Sequence, residues 1–188
     1  MAAKLFLLSL IMVFAVGSSM AATQAKTTDS KSTLIVYYSR TGNTEQMAQK
    51  IHQLVGGDIV AIKPVKAYPQ SYDDTLKQAK QEINSGYKPP LSTTVDISKY
   101  DVIFVGYPIW YGTIPPPIDT FLAEHNFSGK TVIPFCVSGS SSGDKSFKKV
   151  KELSPSANVI DGLQIRGANV GSSDAAISGW LKKINIVE

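Results

Sequence analysis

Five short apolar runs punctuate this chain, and a stretch with helical spacing follows each of them. The runs are 33–39 (TLIVYYS), 58–63, 101–107 (DVIFVGY), 131–138 (TVIPFCVS) and 158–165. The first, third and fourth are apolar and β-branched at almost every position, as strands covered on both faces are. Between them, 44–55 places Met47, Ala48, Ile51, Leu54 and Val55 on one side at helical spacing. Further helices are expected at 72–85 (ended by Gly86), 118–125 (opened by prolines), 147–153 (stopped before Pro155) and 173–184. Strict alternation of strand and helix predicts an α/β fold: a doubly wound, five-stranded parallel sheet with helices on both faces. Ligands of such sheets bind outside the carboxyl ends of the strands, where the strand order switches. The loops to read are therefore those after strands one, three and four: SRTGNT, PIWYGTIPPP and GSSSGDKS.

The first loop follows a buried strand and opens a helix. Four of its residues (Ser39, Thr41, Asn43 and Thr44) carry short side chains that can donate a hydrogen bond. Free backbone N–H groups and the positive end of the helix add to them, an arrangement that suits a phosphate held mostly by neutral donors. Gly42 permits the tight turn, and Asn43 and Thr44 can cap the helix while facing the anion. The plain alternative is an ordinary capped turn. No G-K-[ST] follows, so the magnesium-nucleotide loop is missing its lysine and its metal hydroxyl. No G-x-G-x-x-G follows the first strand, which disfavours a dinucleotide pyrophosphate. A monophosphate is left.

The second loop is expected to expose Trp110 and Tyr111 at the sheet end, with Pro108 stiffening the approach. Two adjacent aromatics at a rim suit a flat ring stacked against them. The alternative is that they cover the core beside the three prolines 115–117. The third loop offers serine hydroxyls and backbone donors that can reach the polar edge of the same ring. A phosphate, a flat ring and a polar ring edge on three neighbouring loops describe flavin mononucleotide (FMN).

Here the chain resembles the flavodoxin family, whose phosphate signature S/T-x-T-G-x-T is matched by Ser39, Thr41, Gly42 and Thr44. GYPIWYGTIPPPIDTF and GKTVIPFCVSGSSSG are similar to the second and third flavin loops of bacterial members with longer loops, and the pair Tyr68 and Tyr72 fits that group. The resemblance runs from about residue 33 to 184. It implies the strand order 2-1-3-4-5. It also implies that Ser39, Arg40, Thr41, Gly42, Asn43 and Thr44 hold the phosphate. Pro108, Ile109, Trp110, Tyr111 and Gly112 would then bracket the isoalloxazine, and Ser138, Gly139, Ser140 and Gly143 would line its pyrimidine side.

The chain departs from that family's single-electron carriers in two ways. Those carriers are strongly acidic, whereas this chain carries a net charge of +4 and a pI of about 9.0, so an acidic surface that steers basic redox partners is not expected. Carriers also keep a small, flippable residue beside the flavin, where this chain has the stiff Pro108 and Ile109. The second point favours two-electron chemistry.

The first 25 residues are of another kind. Lys4 precedes an apolar run from Leu5 to Val16 and then small residues, the order of a secretory signal. The run is too short to cross about 30 Å of hydrocarbon comfortably. Cleavage after Ala21 or Ala25 fits the small-residue rule. We therefore expect a signal peptide at 1–25, a polar linker at 26–32, one domain at 33–188, and an exported protein, periplasmic or secreted, with no stable membrane anchor once the signal is cut. With 43% hydrophobic residues, a domain of that size needs no disulfide, and the single Cys136 could not form one internally. Basic residues are scattered rather than clustered with aromatics, which argues against nucleic acid.

Several features are discounted. Ser142-Gly143-Asp144-Lys145 matches S-x-x-K without its companion motifs. His52 and His125 have no cysteine or carboxylate partners in the sequence that would make a metal site. Cys136 lies in an apolar strand and reads as inert core. Asn126-Phe127-Ser128 is a glycosylation sequon only in a host that glycosylates. The expected function is an exported FMN-binding oxidoreductase passing electrons to a small acceptor such as a quinone. The alternatives are an electron carrier with a protein partner and a non-catalytic module that binds FMN or another phosphate ligand.

Overall fold

The computed structural model describes residues 32–188; the signal segment expected at 1–25 and all of the linker except Ser32 lie outside them. Ser32 is already tied to the sheet. Its backbone N–H and its hydroxyl each donate to Asp101 Oδ2 at 3.1 Å, and its carbonyl accepts from Val102 N at 3.1 Å.

From there the chain alternates as its pattern predicts. The main elements are β1 (Thr33–Tyr37), α1 (Asn43–Val55), β2 (Asp58–Ala61), α2 (Tyr72–Ser85), β3 (Val102–Pro108), α3 (Pro116–Glu124), β4 (Thr131–Ser138) and α4 (Asp144–Leu153). Two short strands, β5 (Asn158–Val159) and β6 (Leu163–Arg166), a 3₁₀ segment (Gly167–Ser172) and α5 (Asp174–Lys183) complete it. All strand pairs are parallel and the order is β2-β1-β3-β4-β5, with β6 also pairing β4. This is the expected flavodoxin-like doubly wound sheet.

Successive residues of a strand point to opposite faces, and the core divides accordingly. Leu34 and Val36 join Ile103, Val105 and Tyr107 on one face, covered by α2, α3 and α4 through Ala79, Ile118, Phe121 and Val150. Ile35 and Tyr37 join Phe104, Ile133 and Phe135 on the other, covered by α1 and α5 through Met47, Ala48, Ile51, Ile177 and Leu181. Each fully buried aliphatic or aromatic side chain contributes about 1.5–3 kcal/mol of transfer free energy, so this two-sided burial is the main source of stability. Gly106 lets the two central strands pack as they do: a Cβ there would sit 2.2 Å from Phe135 Cζ.

Two details differ from the pattern. Of the three prolines ahead of Ile118, Pro116 and Pro117 lie inside α3, at the first helical positions, where a missing N–H costs nothing, and Pro115 is its N-cap. The fifth strand, expected as one run over 158–165, is split. Ile160 N donates to Val132 O at 2.9 Å, but two residues further along the same side of β4 stands Pro134, which has no N–H to offer. The register then slips by one residue, from Val132 opposite Val159 to Phe135 opposite Leu163. Gly162 sits at the break with its Cα against Phe147 and the Pro134 carbonyl.

Candidate functional site

The loop between β1 and α1 turns through Gly42, whose φ of +89° lies in the left-handed region that favours glycine. The first helical bond runs from Gln46 N to Gly42 O at 2.8 Å, so the first N–H groups of α1 have no acceptor within the helix. Thr44 is buried in the first turn at 2% exposure, while Thr41 is exposed. Ser39 Oγ is buried with no hydrogen-bond partner. A polar atom left so is costly unless a ligand or water completes it. Arg40 does not reach across the loop freely. Its Nε donates to Thr75 Oγ1 at 3.1 Å and its Nη2 to Gln70 O at 2.7 Å, with the guanidinium 6.0 Å from the Tyr72 ring. It braces the loop on α2, and no carboxylate pairs with it among the described residues.

The loop after β3 departs from expectation. Tyr111 is exposed, but Trp110 is not: only 8% of it is accessible. Its ring meets Tyr68 edge-on at 4.9 Å and Tyr38 at 5.6 Å. Trp110 N donates to Thr113 O and Thr113 N to Trp110 O, both at 3.0 Å. The two residues between, Tyr111 and Gly112, both have positive φ (50° and 76°). That is the geometry of a tight two-residue hairpin turn, and it turns Trp110 inward against two buried tyrosines. Tyr111 instead carries the rim, its hydroxyl donating to Leu76 O at 3.0 Å. Ile109 N donates to Val137 O at 2.9 Å and ties this loop to β4.

The loop after β4 is clamped by a side chain that sequence reading did not single out. Gln164, on β6, accepts from Gly143 N at 2.7 Å through Oε1. Its Nε2 donates to Ser138 Oγ and to Ser141 O, both at 2.6 Å. One amide thereby holds the start, middle and end of the loop. Gly143 itself faces inward, its Cα against Phe147 and Cys136 Sγ.

The three loops meet around one cavity of about 700 Å³ at the carboxyl end of the sheet, within the usual range for a cofactor site. Of the residues singled out by sequence, it is lined by Arg40, Thr41, Asn43, Thr44, Pro108, Ile109, Trp110, Tyr111, Ser138, Gly139 and Ser140. Ser39, Gly42, Gly112 and Gly143 are not brought to its wall. Gly42 and Gly112 shape the turns, Gly143 caps α4, and Ser39 faces an adjoining cavity that shares Arg40 and Thr41. Two walls come from elsewhere: Tyr72, Thr75 and Leu76 on α2, and Arg166 to Asn169 at the end of β6. Arg166 also ends a strand at the carboxyl edge, so the rule that led to the other loops would have reached it. The close approach of this last wall depends on Gly167, where a Cβ would stand 2.9 Å from Asn43 Nδ2.

The wall is cationic. Its only charged side chains are Arg40 and Arg166, and the described lining holds no carboxylate, histidine or lysine. Such a site suits an anion, and besides the two arginines its lining carries the phenols of Tyr72 and Tyr111. Cys136 lies beneath, fully buried, and burial pushes its thiol up to about 12; it is inert core. No group of metal-ligating side chains occurs among the described residues, and none of their helices is long and apolar enough to cross a membrane.

Known proteins share this fold. A family model described as Flavodoxin matches residues 32–184. A crystal structure described provisionally as a flavoprotein, from Bacteroides eggerthii, is 33% identical, with a TM-score of 0.74 over 82% of this chain and 98% of that one. A flavoprotein from Lactobacillus acidophilus, solved in complex with FMN, is 28% identical, with a TM-score of 0.61 over 76% of this chain and 97% of that one. A curated NAD(P)H dehydrogenase (quinone) of Paraburkholderia phymatum is 29% identical over 91 residues, which is 48% of this chain and 45% of that protein. The match thus spans less than half of that relative's length.

Proposed function

We propose, from the premise that this chain belongs to the flavodoxin family, that it is an FMN-dependent oxidoreductase moving electrons from a reduced donor to a small acceptor such as a quinone. The observation that carries this reading is the convergence of three unrelated loops on one cationic cavity at the carboxyl end of the sheet. The quinone dehydrogenase relatives and the FMN-bound neighbour support it.

Thr41, Asn43 and Thr44, with the free N–H groups at the start of α1, would hold the phosphate. The 108–111 and 138–141 segments would flank the ring. When bound, FMN supplies the electron chemistry. The chain's own residues bind and orient it, exclude water on the buried Trp110 side, and supply positive charge through Arg40 and Arg166. The described lining holds no carboxylate, histidine or lysine, and Tyr72 and Tyr111 are the phenols at its wall. We also propose export, as the order of charge, apolar run and small residues at 1–25 suggests.

The direct test is purification followed by reconstitution. The protein is expected to take up about one FMN per chain, to prefer it over riboflavin and FAD, and to oxidise a nicotinamide donor with a quinone present. A colourless protein that cannot be reconstituted would end the proposal. A flavin-loaded protein that turns over with no donor and quinone pair would leave only the carrier or binding-module readings.

A further inference from the structure

Glu82, on α2, is a buried carboxylate that does not line the cavity between the three loops. It is 9% exposed, and no lysine or arginine pairs with it among the described residues. Its partners are neutral: the Tyr68 hydroxyl donates to Oε2 at 2.5 Å, and Gln78 Nε2 donates to Oε1 at 2.8 Å. Burying a carboxylate against neutral partners alone costs stability that an apolar side chain would not.

Tyr68 in turn touches Trp110. Their ring centroids lie 4.9 Å apart at 79°, an edge-on contact. Trp110 lines the cavity between the loops, and Tyr68 lines the adjoining one. An indole at the cavity wall, a phenol against it and a carboxylate bonded to that phenol thus follow one another. Two other phenols neighbour the indole without such a base. Tyr38 meets it at 5.6 Å, with no carboxylate bonded to its hydroxyl among the described residues, and Tyr111 donates to the Leu76 carbonyl.

The order has a chemical consequence. A phenol gives up an electron readily only when its proton can leave with it, because the phenol radical cation is a far stronger acid than a carboxylic acid. In the resting protein, burial and the Glu82 carboxylate hold the proton on Tyr68. Removing an electron reverses that preference, and the existing hydrogen bond delivers the proton to Glu82.

We propose that Trp110, Tyr68 and Glu82 form a radical relay, which carries a one-electron oxidation from the wall of the loop cavity to Tyr68. A small oxidising radical in the cavity takes one electron from the Trp110 indole and leaves as its anion. Tyr68 returns an electron to the indole and becomes a neutral phenoxyl radical. Its proton passes to the Glu82 carboxylate, and the indole recovers from water any proton it shed. A small reductant such as ascorbate, reaching Tyr68 from the adjoining cavity, then supplies one electron, and Glu82 gives the proton back. No flavin takes part, so the relay does not rest on the FMN reading.

Pulse radiolysis of the flavin-free protein tests the relay, with the azidyl radical as oxidant. The indolyl band in the green is expected to decay as the phenoxyl band in the violet rises. Both should follow one rate that is independent of protein concentration and slower in D2O than in H2O. Tyr68→Phe should abolish this coupled phase, whereas Tyr38→Phe and Tyr111→Phe should keep it. Trp110→Phe should abolish it too, leaving the indolyl decay of Trp180, whose ring neighbour is Phe104. Glu82→Gln keeps an acceptor oxygen for the phenol but cannot take its proton, so transfer should slow about 100-fold, the low end of what a positioned base contributes. Thermal melts check that each variant folds, and the isotope effect is read on the parent whatever the variants do. A phenoxyl band that persists in Tyr68→Phe, an unchanged rate in Glu82→Gln, or equal rates in H2O and D2O would each overturn the proposal.

Discussion

The Tyr68 hydroxyl donates to Glu82 Oε2 at 2.5 Å inside the core, and the other carboxylate oxygen accepts from Gln78 Nε2 at 2.8 Å. Burial raises the Tyr68 phenol well above its ordinary range, and the Glu82 carboxylate, which the phenolic proton serves, raises it further. Tyr38 and Tyr107 are raised as well, in both cases chiefly by burial.

A folded-state pKa above the unfolded value of about 10 means that the native chain holds its protons more tightly. The associated stabilisation is complete below about pH 10 and is lost as the pH climbs beyond it. Denaturant midpoints are therefore expected to fall steeply above that pH. Phenolate absorbance should report these three tyrosines only as the protein unfolds. If they ionise in the still-folded protein, the packing described here is wrong.

Trp110 is an aromatic of the core that also faces the cavity. Trp110→Ala is expected to cost about 3–5 kcal/mol of stability, as large-to-small changes of buried aromatics do, and to do so in the flavin-free protein. Trp110→Phe should cost clearly less. Urea unfolding of the three flavin-free proteins would decide; an alanine variant as stable as the parent would return Trp110 to the exposed position expected from sequence.

Ser39→Ala removes a buried hydroxyl that the protein itself does not use. Flavin-free stability should stay the same or rise slightly. FMN and riboflavin affinities should both hardly move, because Ser39 lines the adjoining cavity and not the one between the three loops. The pair Thr41→Ala with Thr44→Ala should instead weaken FMN by about 1–3 kcal/mol and leave riboflavin almost unchanged. Fluorescence titration with the two flavins separates phosphate contacts from ring contacts.

Gln164→Leu deletes three hydrogen bonds to the 138–143 loop. We expect a loss of about 1–3 kcal/mol, faster amide exchange and proteolysis confined to that loop, and weaker binding of riboflavin as well as FMN. Hydrogen exchange followed by mass spectrometry would locate the effect. An unchanged loop would show that the clamp carries no weight.

If the chain is exported, intact mass of protein from the extracytoplasmic fraction should correspond to a start after Ala21 or Ala25. Full-length mass in the cytosol would contradict this.

Apolar runs long enough to be covered on both faces, separated by helical periods, dictated a parallel sheet, because helices on both faces bury both sides of such strands. The turn into α1 was equally legible, since Gly42, Thr41 and Thr44 are local chemistry at a strand-to-helix turn. The side-chain partners were not. Whether Trp110 faces solvent or core depends on two positive φ angles in the turn and on Tyr38 and Tyr68, which lie 72 and 42 residues earlier in the chain. The clamp by Gln164, the inward turn of Gly143 and the wall ending in Asn169 arise from pairing between β4 and β6, and the one-residue slip opposite Pro134 sets their register. Local sequence determined which loops could bind, because turn and cap chemistry acts over a few residues; the tertiary structure decided which side chains line the cavity, because that depends on strand register and on contacts between segments far apart in the chain.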